Sequence, residues 1–279
     1  MLRVHQISTL DRPDLQPYRT LRRPLEHHRK GIFVAEGSKV VERLIHSGLE
    51  VLSLLTTPEW LALFRPSLEQ LPQPPDVFMA ERPLLESIVG FHLHQGIMAV
   101  GRIPRPAELD DVLLRSPRPY LLVAVDGLTN AENLGVLVRN CVAFGVQAMI
   151  VGETSSSPFL RRAVRNSMGA VFTLPVVHVD DLPAALSRIR STKGIRIVAA
   201  HPSSKAQSLP HPALQADCCI VFGSEGEGIS ARVLAACDDA VAIPMHNSVD
   251  SLNVASASAV FLHEARRLRE ATGHQPAKA

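Results

Sequence analysis

The residues in this chain best suited to chemistry fall in polar stretches that each follow a short apolar run. Asn133-x-Gly135-x-x-x-Arg139 opens a helix, Gly223-Ser-Glu225-Gly226-Glu-Gly228 forms a glycine-rich turn, and Ser251-Leu-Asn253 precedes a helix of very small residues. In open α/β sheets ligands gather beyond the carboxyl ends of strands, so such loops predict a site. The turn at 223–228 does not read GxGxxG and places two carboxylates where a phosphate would need bare amides. No GxxxxGK[ST] occurs, so neither a dinucleotide site nor a P-loop is supported. Glu225 suits a neutral or cationic ligand, a sulfonium among them; the alternative is a tight turn whose glutamate faces water.

Arg139 interrupts an otherwise apolar helix and shares a face with Asn133, Val136 and Asn140 by three- and four-residue spacing. That face begins at a loop after a strand end, so Arg139 either points into the site or lays its stem over apolar surface. Ser251 and Asn253 stand two apart, which in an extended loop aims both to one side; each also suits the N-cap of the helix that follows. That helix begins Val-Ala-Ser-Ala-Ser-Ala-Val and offers so little bulk that another backbone can pass close against it. His27-His28 and the pair His92 and His94 lack a third ligand at metal spacing, and no GxSxG surrounds a serine. No metal is assigned, and nucleophilic hydrolysis has no support.

These loops need a sheet to hold them. Short β-rich runs at Tyr120–Val125, 148–151, around Val176, 196–200, 218–222 and 240–243 alternate with amphipathic helices at 134–144, 159–167, 182–189, 231–236 and 253–269. That alternation predicts an α/β domain with a parallel sheet covered on both faces. Before it, strands at 32–35, 51–56 and 97–100 with a helix at 39–47 predict a smaller α/β module, and Pro66 to Pro75 reads as an irregular connection. Prolines at 104, 106, 117 and 119 bracket a short helical piece, as a linker would. The expected boundaries are therefore 1–103, a linker 104–118, the larger α/β domain 119–271 and a polar tail 272–279.

The chain has 279 residues, 46% of them apolar, which is ample for packed cores. Its longest clean apolar run, Tyr120 to Val125, falls far short of the roughly 18 residues of a membrane span. The first residues lack the apolar core of a secretory signal, so the cytoplasm is the expected location, with no membrane partner. Cys141, Cys218, Cys219 and Cys237 sit in apolar segments without CxxC spacing and read as buried free thiols. A net charge of +2 is too mild to indicate a nucleic-acid partner by itself. Its distribution is more telling: Arg3, Arg12, Arg19, Arg22, Arg23, Arg29, Lys30 and Lys39 crowd the first forty residues, as either a phosphate-following face or a solvated surface.

Taken in order, Asn133-x-Gly135-x-x-x-Arg139 with Phe144-Gly145, Gly223-x-Glu225-Gly226-x-Gly228, and Ile243-Pro-Met with Ser251-Leu-Asn253-Val resemble the three motifs of the SpoU/TrmH family of RNA ribose 2′-O-methyltransferases, within the SPOUT superfamily. Arg165-Asn-Ser167-Met-Gly169-Ala170 is similar to a further stretch of that family, and the resemblance covers Tyr120 to Arg269. Upstream, Lys30-Gly-Ile-Phe-Val-Ala-Glu36-Gly37 and His94-Gln-Gly-Ile97 resemble an amino-terminal, L30e-like substrate-binding domain carried by many members. The resemblance implies a carboxy-terminal trefoil knot, an exception to the rule that chains do not knot. It also implies S-adenosylmethionine as cofactor, held around Phe222, Gly223, Ser224, Ile243, Met245 and Leu252, and a homodimer sharing its site. Ser224 stands where asparagine is frequent, and His246-Asn247 replaces a glycine-containing loop.

By the same resemblance Arg139 is the essential arginine, with Asn133, Glu225, Ser251 and Asn253 orienting it and the ribose. An arginine is a poor base at neutral pH, because its guanidinium stays protonated there. Its expected work is to grip a neighbouring phosphate and stabilise a developing alkoxide while the proton passes to phosphate or water. Family members with a complete L30e-like domain most resemble ribosomal RNA modifiers, which puts rRNA ahead of tRNA. Arg22, Arg23, Arg29, Lys30 and Arg165 are the expected RNA contacts. The competing reading is a knotted RNA-binding protein without catalysis.

Overall fold

A computed structural model describes residues 2–89, 96–202, 206–246 and 250–273. His92, His94 and Asn247 lie outside the described residues. The chain begins with β1 (Arg3–Gln6), α1 (Gln16–Arg19), α2 (Pro24–Arg29), β2 (Ile32–Glu36), α3 (Ser38–Ile45), β3 (Val51–Thr56) and α4 (Pro58–Glu69). It continues with β4 (Asp76–Met79), α5 (Arg82–Val89), β5 (Ile97–Arg102), α6 (Leu109–Arg115), β6 (Leu121–Val125), α7 (Ala131–Ala143), β7 (Ala148–Val151) and α8 (Arg161–Asn166). The remaining elements are β8 (Val176–His178), α9 (Leu182–Lys193), β9 (Arg196–Ala200), β10 (Gln207–Ser208), β11 (Cys218–Phe222), α10 (Ala231–Leu234), β12 (Asp239–Ala242) and α11 (Val254–Ala271). None of the described helices is long and apolar enough to cross a membrane.

Two compact units result, 1–105 with 158–173 and 106–157 with 174–279. The first holds a five-stranded mixed sheet of order β1-β4-β3-β5-β2, in which β5 runs antiparallel to both its neighbours. Its extra segment, 158–173, packs on β2: Phe33 lies 5.5 Å from Phe159 and 5.3 Å from Phe172 between ring centroids. Gly101 makes room, since a Cβ there would fall 2.4 Å from the Phe33 ring. Neither compositional break in the sequence marks this segment. Pro66 also departs from expectation, because α4 runs through it; Leu61, Phe64 and Leu68 bury one face of the helix while Pro66 is exposed.

The second unit holds a seven-stranded sheet of order β10-β12-β9-β11-β6-β7-β8, and every pairing in it is parallel. All residues of β6, β7 and β11 are buried, as strands covered on both faces must be. Leu182, Leu186 and Ile189 of α9 pack on one such face. Leu109 and Leu113 of α6 join that core, so the helical piece between the prolines is packed rather than a free connection. At the other end of the chain, buried Arg269 of α11 donates to the carbonyls of Pro119, Tyr120, Leu214 and Ala216. Its planar fork of donors thus satisfies chain ends beside β6 and β11 and pins the last turns of α11. Cys141, Cys218 and Cys219 are buried free thiols and Cys237 is half-buried; desolvation raises the pKa of each, to about 11 for Cys218 and about 12 for Cys237.

Candidate active site

A cavity of about 270 Å³ opens in the second unit where β9, β11 and β12 end. Phe222, Val241, Ile243, Leu252 and Phe261 give it apolar walls, and Phe222 meets Phe261 edge-on at 5.9 Å between centroids. Gly223, Ser224, Met245 and Ser251 complete the part of the lining that the sequence singles out. Glu225, Glu227 and Asp250 also line it, and among the described residues no Lys or Arg does. A wall of that composition accepts a flat apolar group, and a rim of carboxylates favours a cation over an anion.

The turn after β11 is closed on itself. Ser224 and Gly228 exchange backbone hydrogen bonds of 3.0 and 3.1 Å, and the Glu227 amide donates to the Ser224 hydroxyl at 3.2 Å. Gly223 must lack a side chain, since a Cβ would stand 2.1 Å from the Gly228 backbone carbonyl carbon. Gly228 has φ +70°, the left-handed region that glycine tolerates. Buried Asp126, after β6, accepts the Ser230 amide at 2.7 Å and fixes the exit of the turn.

The closed turn presents Glu225 to Asn133. Asn133 donates its amide to Glu225 Oε1 and accepts from Asn253 Nδ2 at 3.2 Å, joining all three polar stretches. Asn130 caps α7, accepting from the amides of Glu132 at 2.9 Å and Asn133 at 3.2 Å, which sets the first turn that carries Asn133. Asn253 caps α11 through the Ala255 amide at 2.9 Å, so its side chain serves both as cap and as link. Asn140 extends the seam, donating to Ala255 O at 2.8 Å and Ser258 Oγ at 2.9 Å. The small residues of α11 let α7 approach this closely.

Arg139 lies on the exposed side of α7 and has no hydrogen-bond or ion-pair partner among the described residues. Ser251 is exposed at the cavity. In the first unit Arg22, Arg23, Arg29 and Lys30 are all exposed. Arg23 is 3.8 Å from Glu26, and Lys30 lies 3.0 Å from both Glu26 and Gln16. Lys30, first among the nearby cations, lowers the Glu26 pKa. Arg165 is turned onto buried Glu36 at 3.1 Å, alongside Arg161 at 2.6 Å, so it holds the 158–173 segment to β2. That pairing spans 129 residues and has no local signature. His201, Glu227 and Asp250 were not singled out by spacing, although His201 follows a strand end as the other loops do.

Residues 120–263, just over half the chain, match the SpoU rRNA Methylase family model. The chain is 32% identical over 274 residues to an uncharacterized tRNA/rRNA methyltransferase of Mycobacterium tuberculosis, covering 95% of this chain and 93% of that one. It is also 32% identical over 252 residues to the 23S rRNA (guanosine-2'-O-)-methyltransferase RlmB of Vibrio vulnificus, covering 88% and 96%. In fold it resembles the AdoMet-bound rRNA methyltransferase of Sinorhizobium meliloti, with a TM-score of 0.81 at 22% identity over 95% and 98% of the chains. A model match across most of the second unit, together with relatives one-third identical along nearly the whole chain, makes this protein a member of the SpoU rRNA methylase family.

Proposed function

We propose that the protein is a methyltransferase that moves a methyl group from S-adenosylmethionine to a ribose 2′-hydroxyl of structured RNA, with ribosomal RNA ahead of transfer RNA. The observation that carries this reading is the chain of side chains Glu225, Asn133 and Asn253 at an acidic cavity that no Lys or Arg lines among the described residues. The residues present suit the cofactor: the glycine-walled turn allows close backbone approach, the apolar walls suit an adenine, and the carboxylates suit a sulfonium. Phe222, Gly223, Ser224, Ile243, Met245 and Leu252 would hold it, and it supplies an activated methyl group. The RlmB relative supports a ribose hydroxyl of rRNA as acceptor.

Transfer needs the hydroxyl oxygen in line with the methyl group and its proton removed as the bond forms. Arg139, exposed and uncommitted among the described residues, grips the adjacent phosphate with its planar fork and stabilises negative charge growing on the ribose oxygen. The proton passes to phosphate or water, because a guanidinium does not accept it. Asn133, Glu225 and Asn253 hold their positions through one another and, with Ser251, orient the ribose.

Residues 1–103 serve as the L30e-like RNA-binding domain, with Arg22, Arg23, Arg29 and Lys30 following phosphates. The protein works as a homodimer, and the exposed Val142 on α7 and Val260 on α11 are apolar surface available to that pairing. The small α11 residues give room for the knot expected of the family. Titration calorimetry with S-adenosylmethionine tests the reading: saturable binding is expected, and its absence would leave a non-catalytic RNA-binding protein. Mapping 2′-O-methylation on total RNA from cells with and without the protein then identifies the target nucleotide.

A further inference from the structure

The cavity lining is chemically lopsided. Glu225, Glu227 and Asp250 supply negative charge, and among the described lining residues only His201 has a side chain able to carry positive charge. S-adenosylmethionine brings a sulfonium and an ammonium, which these carboxylates suit, but it also brings a carboxylate. Beside acidic residues an uncompensated carboxylate is repelled, so it needs a donor of its own.

His201 stands where such a donor is wanted. It follows the last residue of β9, and its backbone amide donates to Val241 O at 3.0 Å, which ties it to β12. Its ring Nδ1 lies 4.0 Å from the position a Cβ on Gly228 would take, beside the closed turn that carries Glu225. The ring is half-buried and makes no hydrogen bond among the described residues. A half-buried imidazole lining a cavity and without a partner retains its N–H for a ligand.

We infer that His201 receives the carboxylate at the amino-acid end of S-adenosylmethionine and thereby sets specificity for the intact methionine moiety. The inference rests on the reading that this cavity holds that cofactor. A ring N–H on a carboxylate is a charge-assisted hydrogen bond, and losing one costs about ten- to a hundredfold in affinity. The same contact contributes nothing to a ligand lacking the carboxylate.

The test compares S-adenosylmethionine with its decarboxylated form, which keeps the sulfonium and the ammonium and lacks only the carboxylate. Calorimetry on the full chain would titrate wild type, His201→Ala and His201→Gln with both ligands. The expected result is that wild type prefers the intact cofactor by about tenfold or more, that His201→Ala loses that preference or reverses it with the decarboxylated form unaffected, and that His201→Gln, which keeps an N–H, restores part of the preference. Unchanged binding of the decarboxylated form also shows that the Ala variant is folded. Equal losses for both ligands, or a preference that survives in His201→Ala, would overturn the role of His201. Failure of wild type to bind either ligand would instead overturn the proposed function itself.

Discussion

The two units commit their polar residues differently. In the second, the candidate catalytic side chains are tied to one another: Glu225 to Asn133, Asn133 to Asn253, Asn253 to the start of α11. In the first, Arg22 and Arg29 stand in solvent, and Arg23 and Lys30 share one partly exposed Glu26. Exposed pairs of that kind contribute little, typically about 0–1 kcal/mol, and yield readily to a competing phosphate. A site for one small cofactor and one ribose rewards rigid placement, whereas a surface for folded RNA rewards side chains free to move. Arg139 belongs to the second unit by position and to the first by character, since it alone of the proposed catalytic set is an uncommitted cation among the described residues.

The largest effect is expected from Arg139→Ala, which should lower single-turnover methyl transfer by about 10²–10³-fold, the scale of losing one preorganised donor to a developing oxyanion. Calorimetric affinity for S-adenosylmethionine should stay unchanged, since Arg139 does not line the cavity. Near-native rates in Arg139→Lys would show that a guanidinium fork is not required. Asn133→Ala comes next. It frees Glu225 and Asn253 together, and loss of a hydrogen bond to a charged acceptor predicts a turnover drop of about tenfold or more with little change in cofactor affinity. A variant with native turnover would mean that the interlocked side chains serve stability alone.

Neutralising Arg22, Arg23, Arg29 or Lys30 singly should weaken RNA binding only a few-fold and uniformly across RNA sequences. Each should also reduce the slope of log affinity against log salt by about 0.7–0.9, measured by filter binding at several salt concentrations. A loss confined to one RNA sequence would assign base reading rather than phosphate contact. The smallest effect concerns pH. Buried Asp239 of β12 is bound by Arg196 of β9, whose hydrogen bonds hold its pKa below the ordinary carboxylate range. A depressed carboxylate pKa contributes stability above its unfolded value and loses it as pH falls through the folded one. Thermal melts should therefore drop in acid below the usual carboxylate range, and Arg196→Gln should flatten that dependence.

Much of the second unit was legible because its signals are local. The buried runs of β6, β7 and β11 read as continuous apolar segments, and Asn253 marks where α11 begins, whereas the cap of α7, Asn130, lies ahead of the apolar periodicity that signals that helix. The polar stretches around Asn133, Glu225 and Asn253 were visible for the same reason, although their joining is tertiary. What escaped was non-local or too short. β1 is mostly exposed and pairs with β4 through parallel neighbours distant in sequence, and β10 has only two residues. The 158–173 segment is drawn to the first unit by Glu36, whose contacts with Arg161 and Arg165 span 125 and 129 residues. Pro66 misleads because proline weighs against a helix locally, while buried Leu61, Phe64 and Leu68 reward one. His201 has no spacing partner, and only the shape of the cavity gives it a place.

The most direct test of the account supplies purified protein with S-adenosylmethionine carrying a labelled methyl group and ribosomal RNA from cells lacking the protein. The RNA is then digested to nucleosides and analysed by mass spectrometry. The account expects label on a ribose 2′-oxygen, at one or a few positions, and its absence with Arg139→Ala. Label on a base, or none with wild type under conditions where S-adenosylmethionine binds, would contradict it.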